Sequence, residues 1–184
     1  MGCLIIGLVG QNCSGKDTAA DYLVTLGCSR YSLSDYLREE LKQEGKEVTR
    51  DSLIEIANRL RKTKGTGYLG EKARERITPG KNWVVVSIRN PGEVQELRKL
   101  KGFVLVVLEA SAEKRFERMK ARKREQDPKT LEEFVSLEKQ ENAGGAEQSI
   151  SQTMKLADFT VDASGTIDEE LAEVDKLWRK LKNT

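Results

Sequence analysis

The stretch Gly10-Gln11-Asn12-Cys13-Ser14-Gly15-Lys16-Asp17-Thr18 limits what this chain can fold into more than any other. The apolar run Leu4 to Val9 leads into it. Asp17 to Leu26 follows, with Ala19, Ala20, Leu23 and Leu26 at helical spacing. Strand, glycine-flanked loop and helix make a turn whose backbone N–H groups converge, with the positive end of a helix dipole behind them. A polyphosphate is the ligand that needs so many short donors, and Lys16 stands where an ammonium reaches its outer phosphates. The reading is a nucleotide phosphate loop, and a plain glycine turn is the alternative. One residue departs from the usual pattern. Asp17 occupies the place where a Ser or Thr hydroxyl normally meets magnesium, and Thr18 comes one residue late.

Other apolar runs supply the rest of a sheet. Trp83–Ile88 and Phe103–Leu108 are continuous and rich in β-branched residues, and Ser29–Ser32 and Asp158–Val161 are weaker candidates. Continuous runs of this kind suit parallel strands covered on both faces, and helical patterns lie between them, so the class is α/β. A length of 184 residues suits one compact domain. The formal net charge of +2 gives no overall pull toward nucleic acid. Cys3, Cys13 and Cys28 form no Cys-x-x-Cys pair and leave an odd count, which reads as reduced thiols in a cytoplasmic protein. No run approaches membrane-spanning length, and Ile6 stands where a myristoylation signal wants Ser or Thr.

Between the second and third strands lies a helical insertion, residues 34–80. Ser34 reads as an N-cap before Leu37 and Leu41, and Thr49-Arg50-Asp51-Ser52 starts a helix with Leu53, Ile56, Ala57 and Leu60 inward. Gly65-Thr66-Gly67 breaks it, Leu69 to Ile77 resumes, and Thr78 to Asn82 turns into the Trp83 strand. This insertion is expected to form a flap. Ala112 to Lys123 is a basic helix in which Arg115, Arg118 and Arg122 share one face, and residues 115–145 are expected to form a lid. Asp127-Pro128 ends the basic run, Leu131 to Glu141 is helical, and Gly144-Gly145 is a break. Ser149 to Leu156 precedes the last strand. Ser164-Gly165-Thr166 then turns into a C-terminal helix with Leu171, Val174, Leu177 and Leu181 as its stripe.

Phosphoryl transfer asks a protein for positioning and charge neutralisation more than for covalent help. Beside the phosphate loop, arginines should therefore arrive from separate elements. Arg38 follows the second strand, at the edge where ligands bind in open α/β sheets. From spacing alone it is equally a solvated arginine one turn into a helix. Arg89 comes directly after the Trp83 strand, where Asn90-Pro91-Gly92 turns the chain away. Arg118, Arg122 and Arg124 belong to the basic helix, of which Glu113, Glu117 and Glu125 make part a solvated face. A nucleic-acid surface would want interleaved aromatics, and only Phe116 is there.

Gly-Lys-x-Thr at residues 15–18 resembles the loop of nucleoside monophosphate kinases, which ends in Gly-Lys-Gly-Thr. Ser32–Glu40, Ser87–Val94 and Ala157–Val161 look like segments of the P-loop nucleotide kinase superfamily, on an adenylate kinase-like and dephospho-CoA kinase-like branch. A similar module is fused to some deoxycytidylate deaminases, but the chain has no His and so no deaminase signature. The resemblance implies a three-layer fold with a five-stranded parallel sheet of order 2-3-1-4-5. It implies a phosphotransferase that uses ATP and Mg2+ on a small phosphorylated acceptor, a nucleoside or deoxynucleoside monophosphate. It further implies a monomer or homodimer with no nucleic-acid or membrane partner. In such kinases the residue matching Arg38 grips acceptor phosphate, with Ser34 and Asp35 beside it, and the one matching Arg89 contacts both donor and acceptor phosphates. Those matching Arg118, Arg122 and Arg124 close over the triphosphate, and the adenine packs on Arg122 and on Ser164-Gly165. Many relatives hold magnesium through an Asp near the end of the third strand, where Ser87 stands here. Asp17, Thr18 and Asp35 are then the candidates to hold the ion through water. A dephospho-CoA acceptor, with Asp35 as general base, and a nucleotide sensor without turnover are the alternatives.

Overall fold

The computed structural model describes residues 3–122, 127–143 and 149–183, the last three residues of the middle range by backbone alone. The strands are β1 (Ile5–Val9), β2 (Ser29–Ser32), β3 (Trp83–Val86), β4 (Phe103–Glu109) and β5 (Phe159–Asp162). The helices are α1 (Lys16–Thr25), α2 (Leu33–Gln43), α3 (Arg50–Lys64), α4 (Tyr68–Arg76), α5 (Pro91–Leu97), α6 (Ala112–Ala121), α7 (Leu131–Ala143), α8 (Ile150–Met154) and α9 (Ile167–Lys182). All strands run parallel in the order β2-β3-β1-β4-β5, as the resemblance implied. All carboxyl ends therefore open at one edge, and the phosphate loop leaves the central strand there.

Alternation along the strands builds two cores. Ile5 and Val9 of β1 join Val85, Leu105 and Val107 against Leu33, Leu37 and Leu41 of α2, Ile56 and Ala57 of α3 and Leu97 of α5. Ile6 and Leu8 join Val84, Val86, Val106 and Leu108 against Ala19, Ala20 and Leu23 of α1 and Val174 of α9. A period of two on a sheet covered from both sides makes each strand wholly apolar, which is why the runs were continuous in sequence.

Several boundaries differ from the sequence expectations. Ser32, not Ser34, caps α2, its side chain accepting from the Ser34 amide, because the backbone is still extended at Ser32. β3 stops at Val86, since Ser87 takes a left-handed φ of 64° that ends the ladder. Asn90-Pro91-Gly92 does not merely turn the chain: it opens α5, with Asn90 as N-cap, Pro91 in the first turn and Glu93 closing a capping box. α6 runs Ala112–Ala121 with Arg122 as its C-cap, the expected boundary at Lys123 lies outside the described residues, and β5 runs to Asp162. The Gly144-Gly145 break lies outside the described residues.

Gly7 in β1 pairs with Val85 and Leu105, and a Cβ there would meet Phe103 Cζ at 2.8 Å and Ile88 Cδ1 at 2.9 Å. Gly7→Ala is expected to lower stability by about 1–3 kcal/mol, the usual result of overpacking. Urea unfolding checks this, and an unchanged midpoint would mean that Phe103 and Ile88 yield freely.

Candidate functional site

The loop Gly10–Gly15 is held open from below. A Cβ on Gly10 would lie 2.5 Å from Leu108 O, and one on Gly15 would lie 2.1 Å from Glu170 Oε1. Gly15 also takes φ 98° and Cys13 φ 63°, both in the left-handed region. Gly15 is the N-cap of α1 and offers no side-chain acceptor, so the first amides of the helix are left for an anion. Ser14 is fully buried. Lys16 Nζ donates to Gln11 O at 2.6 Å and lies 3.3 Å from Ser14 Oγ, folded back onto its own loop. Burial lowers its pKa to about 8, and the nearby Arg89 guanidinium adds to that shift.

One cavity of about 630 Å³ opens in front of this loop. Cys13 lines it from the loop after β1, Lys16 and Asp17 from α1, Ser34 and Arg38 from α2, Ser87 and Arg89 from the segment after β3, and Arg122 from the end of α6. The β3 end is fixed by a buried carboxylate. Glu93 Oε2 accepts from the amides of Arg89 at 2.8 Å and Asn90 at 3.1 Å, while Ser87 Oγ lies 2.9 Å from Ser32 Oγ. Arg122 meets Cys13 Sγ. Burial raises the Cys13 thiol, and Arg122 opposes that rise.

Other residues singled out from sequence lie elsewhere. Asp35 bonds Arg38 at 2.9 Å and is not on the cavity wall. Thr18 is half-buried in α1, also off that wall. Arg118 pairs at 3.0 Å with Glu170, a buried carboxylate of α9, and its Nη2 lies 3.5 Å from Gly165 O. Ser164 lines a second cavity of about 400 Å³ with Gln11, Glu109, Ser111 and Asp162. Arg115 is buried, bonds Glu138 and reaches Asn12 O at 3.3 Å. Arg124 lies outside the described residues. No group of three or more His, Cys, Asp or Glu among the described residues could hold a metal. Magnesium keeps several waters and needs few protein oxygens, a requirement Asp17 fits from the wall beside Lys16, although it also pairs with Arg30 at 2.6 Å. No helix among the described residues is long and apolar enough to cross a membrane.

Sequence reasoning missed the buried acids Glu93, Glu138 and Glu170, and it missed Arg61, which bonds Glu93 and lines the main cavity. A signal existed. Arg61 follows Ala57 by four residues, Arg115 precedes Met119 by four, and Glu170 precedes Val174 by four, so each charge sits on an apolar stripe.

Comparisons with known proteins bear on the family and the fold. The family AAA_18, an AAA domain, matches residues 6–142. A UPF0200/UPF0201 protein of Archaeoglobus fulgidus is 33% identical over 96% of this chain, which spans 55% of that protein's length. A UPF0200 protein of Pyrococcus horikoshii is 31% identical, with 97% of each chain covered. Among solved structures, a shikimate kinase from Bacteroides thetaiotaomicron superposes with a TM-score of 0.61 at 15% identity, covering 97% of this chain and 98% of its own. A gluconokinase from Sinorhizobium meliloti superposes at 0.56 and 20% identity, covering 98% and 94%. At these identities the likeness shows the fold.

The low pKa of Lys16 gives a measurable sign. Between pH 8 and its ordinary value the unfolded chain holds this proton more tightly, so this group's contribution to stability rises as pH rises through that window. A bound polyphosphate favours the charged ammonium. Binding of ATP at pH 8 is therefore expected to draw about half a proton into the protein, and Lys16→Arg should abolish that uptake. Calorimetry in buffers of different ionisation enthalpy reads it directly. An uptake that persists in Lys16→Arg would assign the proton to another group.

Proposed function

Because the chain belongs to the AAA domain family AAA_18 and to the UPF0200 proteins, we propose that it is an ATP-dependent phosphotransferase acting on a small phosphorylated acceptor, with a nucleoside or deoxynucleoside monophosphate as the acceptor class. The observation that carries this reading is the arrival of Lys16, Arg38, Arg89 and Arg122 at one cavity from four separate elements. Cations gathered in a partly dry crevice repel one another unless anions sit among them, and the lowering of Lys16 by Arg89 is that repulsion at work. A polyphosphate on the loop and a phosphate on the acceptor supply the anions, and guanidinium groups bind phosphate in a bidentate way. The folds of a shikimate kinase and a gluconokinase add support at the level of a small-molecule kinase.

In this reading the amides of residues 10–16 and the Lys16 ammonium hold the donor phosphates. The second cavity, beside Ser164 and Gln11, has room for the donor's base. Arg38 and Arg89 hold the acceptor phosphate, and Arg89 and Arg122 flank the path of the moving phosphoryl group. An acceptor phosphate oxygen forms the new P–O bond as the bond to the ADP leaving group breaks. Magnesium, when bound with the nucleotide, neutralises phosphate charge, and Asp17 is the residue that would hold it through water. Residues 34–80 act as the flap, and the described parts of 115–145, residues 115–122 and 127–143, act as the lid, the two excluding water together. A hydroxyl acceptor such as dephospho-CoA would draw on Asp35 as base, and its bond to Arg38 away from the cavity wall weakens that alternative.

ADP release across a panel of nucleoside monophosphates, bare nucleosides and dephospho-CoA tests the reading, and it fails if the unphosphorylated acceptors or dephospho-CoA prove best. Arg38→Ala is expected to raise the acceptor KM by about tenfold or more while leaving ATP binding unchanged, since charge-assisted contacts are worth roughly 1.5–3 kcal/mol. Arg89→Ala should lower kcat as well. Steady-state kinetics with both substrates varied separates the two effects.

A further inference from the structure

Arg61 stands on α3, and its side chain is 2% exposed. Glu93, on α5 and fully buried, meets Arg61 through one oxygen: Oε1 accepts from Arg61 Nε at 3.0 Å and from Nη2 at 2.7 Å. The other oxygen of the same carboxylate accepts from the amides of Arg89 and Asn90. The Arg61 guanidinium is therefore one carboxylate width from the backbone that carries Arg89. Its remaining nitrogen, Nη1, is buried with no hydrogen-bond partner among the described residues. The same side chain forms part of the wall of the 630 Å³ cavity, together with Arg38, Arg89 and the apolar Leu37, Leu53 and Ala57.

An unmet buried N–H is costly, and Arg118 Nη1 is orphaned in the same way beside Glu170; what sets Arg61 apart is that it lines the cavity, where a ligand can supply the missing acceptor. Nε and Nη2 are committed to the carboxylate, and Nη1, whose two N–H groups lie on the far side of the guanidinium, is closed off from solvent in the empty cavity and meets a ligand as α3 and its neighbours shift on binding. We infer that Arg61 is a further acceptor-binding residue, with Nη1 donating to an anionic oxygen of the acceptor beside Arg89. Glu93 holds Arg61 and the Arg89 backbone in one frame, so the two guanidinium groups grip one phosphate from two sides. This inference rests on the phosphorylated-acceptor reading and adds a ligand to it. It also predicts that the body of the acceptor lies along Leu37, Leu53 and Ala57, since those side chains flank Arg61 on the wall.

The test uses inorganic phosphate as the probe, on the full chain with ADP present to fill the phosphate loop. Side-chain N–H resonances of 15N-arginine-labelled protein are followed during the titration, with Arg61 assigned from the spectrum of Arg61→Lys. The Arg61 resonance is expected to shift with the same saturation curve as that of Arg89. Arg61→Lys, which keeps the charge opposite Glu93 but has no guanidinium arm to carry Nη1 past it, should weaken phosphate binding about tenfold or more. If phosphate moves Arg38 and Arg89 but leaves Arg61 still, and Arg61→Lys binds as the wild type does, Arg61 is a staple and the inference is overturned while the acceptor reading stands. If phosphate moves none of the three, both fall together. Should Arg61→Lys fail to fold, the wild-type resonances, assigned by through-bond experiments, decide the matter alone.

Discussion

Every strand of this sheet runs the same way, and the site follows from that. A parallel sheet collects its carboxyl ends at one edge, so chain segments far apart in sequence empty their loops into one crevice. The phosphate loop leaves β1 there, α2 with Arg38 follows β2, and Ser87 to Asn90 follow β3. Neither a hairpin nor a meander would bring Lys16, Arg38 and Arg89 to one cavity. The left-handed Ser87 adds a local condition, since it stops the β3 ladder and turns the next residues out of the sheet.

The edge gathers positive charge, and buried acids decide how that charge is divided. Glu93 takes Arg61, Glu138 takes Arg115, and Glu170 takes Arg118. Each acid lies on a different helix, and each pair ties two elements around the crevice. A buried pair adds little net stability over an apolar one, but removing one partner leaves the other uncompensated and is strongly destabilising. Such pairs therefore fix geometry more than they raise stability. They also explain why the arginines of α6 and its C-cap differ although they share a face. Arg115 is spent on Glu138 and the Asn12 carbonyl, Arg118 on the carboxylate under Gly15, and among the described arginines of this run only Arg122 reaches the cavity wall. Glu170 shows the same economy in the loop itself: desolvation raises its pKa, Arg118 opposes the rise, and its Oε1 packs where a Gly15 side chain would be.

Much of the fold was legible because its signals are local. Continuous apolar runs mark β1, β3 and β4 within two residues, and Thr49 and the Ser164-Gly165-Thr166 turn mark the starts of α3 and α9. α5 was missed because Asn90-Pro91-Gly92 reads equally as a turn and as a capped first turn. The choice between them depends on Glu93 finding the Arg89 and Asn90 amides. Ser34 and Ser32 compete as caps on the same grounds, and strand pairing of Ser32 with Val86 settles it.

By itself the sequence determined the phosphate loop, the α/β class and the set of arginines that could serve it, because each rests on residue type at fixed spacing. Only the tertiary structure decided which arginines face the cavity. That choice depends on carboxylates brought from other helices: Asp35 binds Arg38 within α2, but Glu93, Glu138 and Glu170 reach their partners across 32, 23 and 52 residues. Pairing over such separations is set by how helices pack on the two faces of the sheet, and no local spacing encodes it.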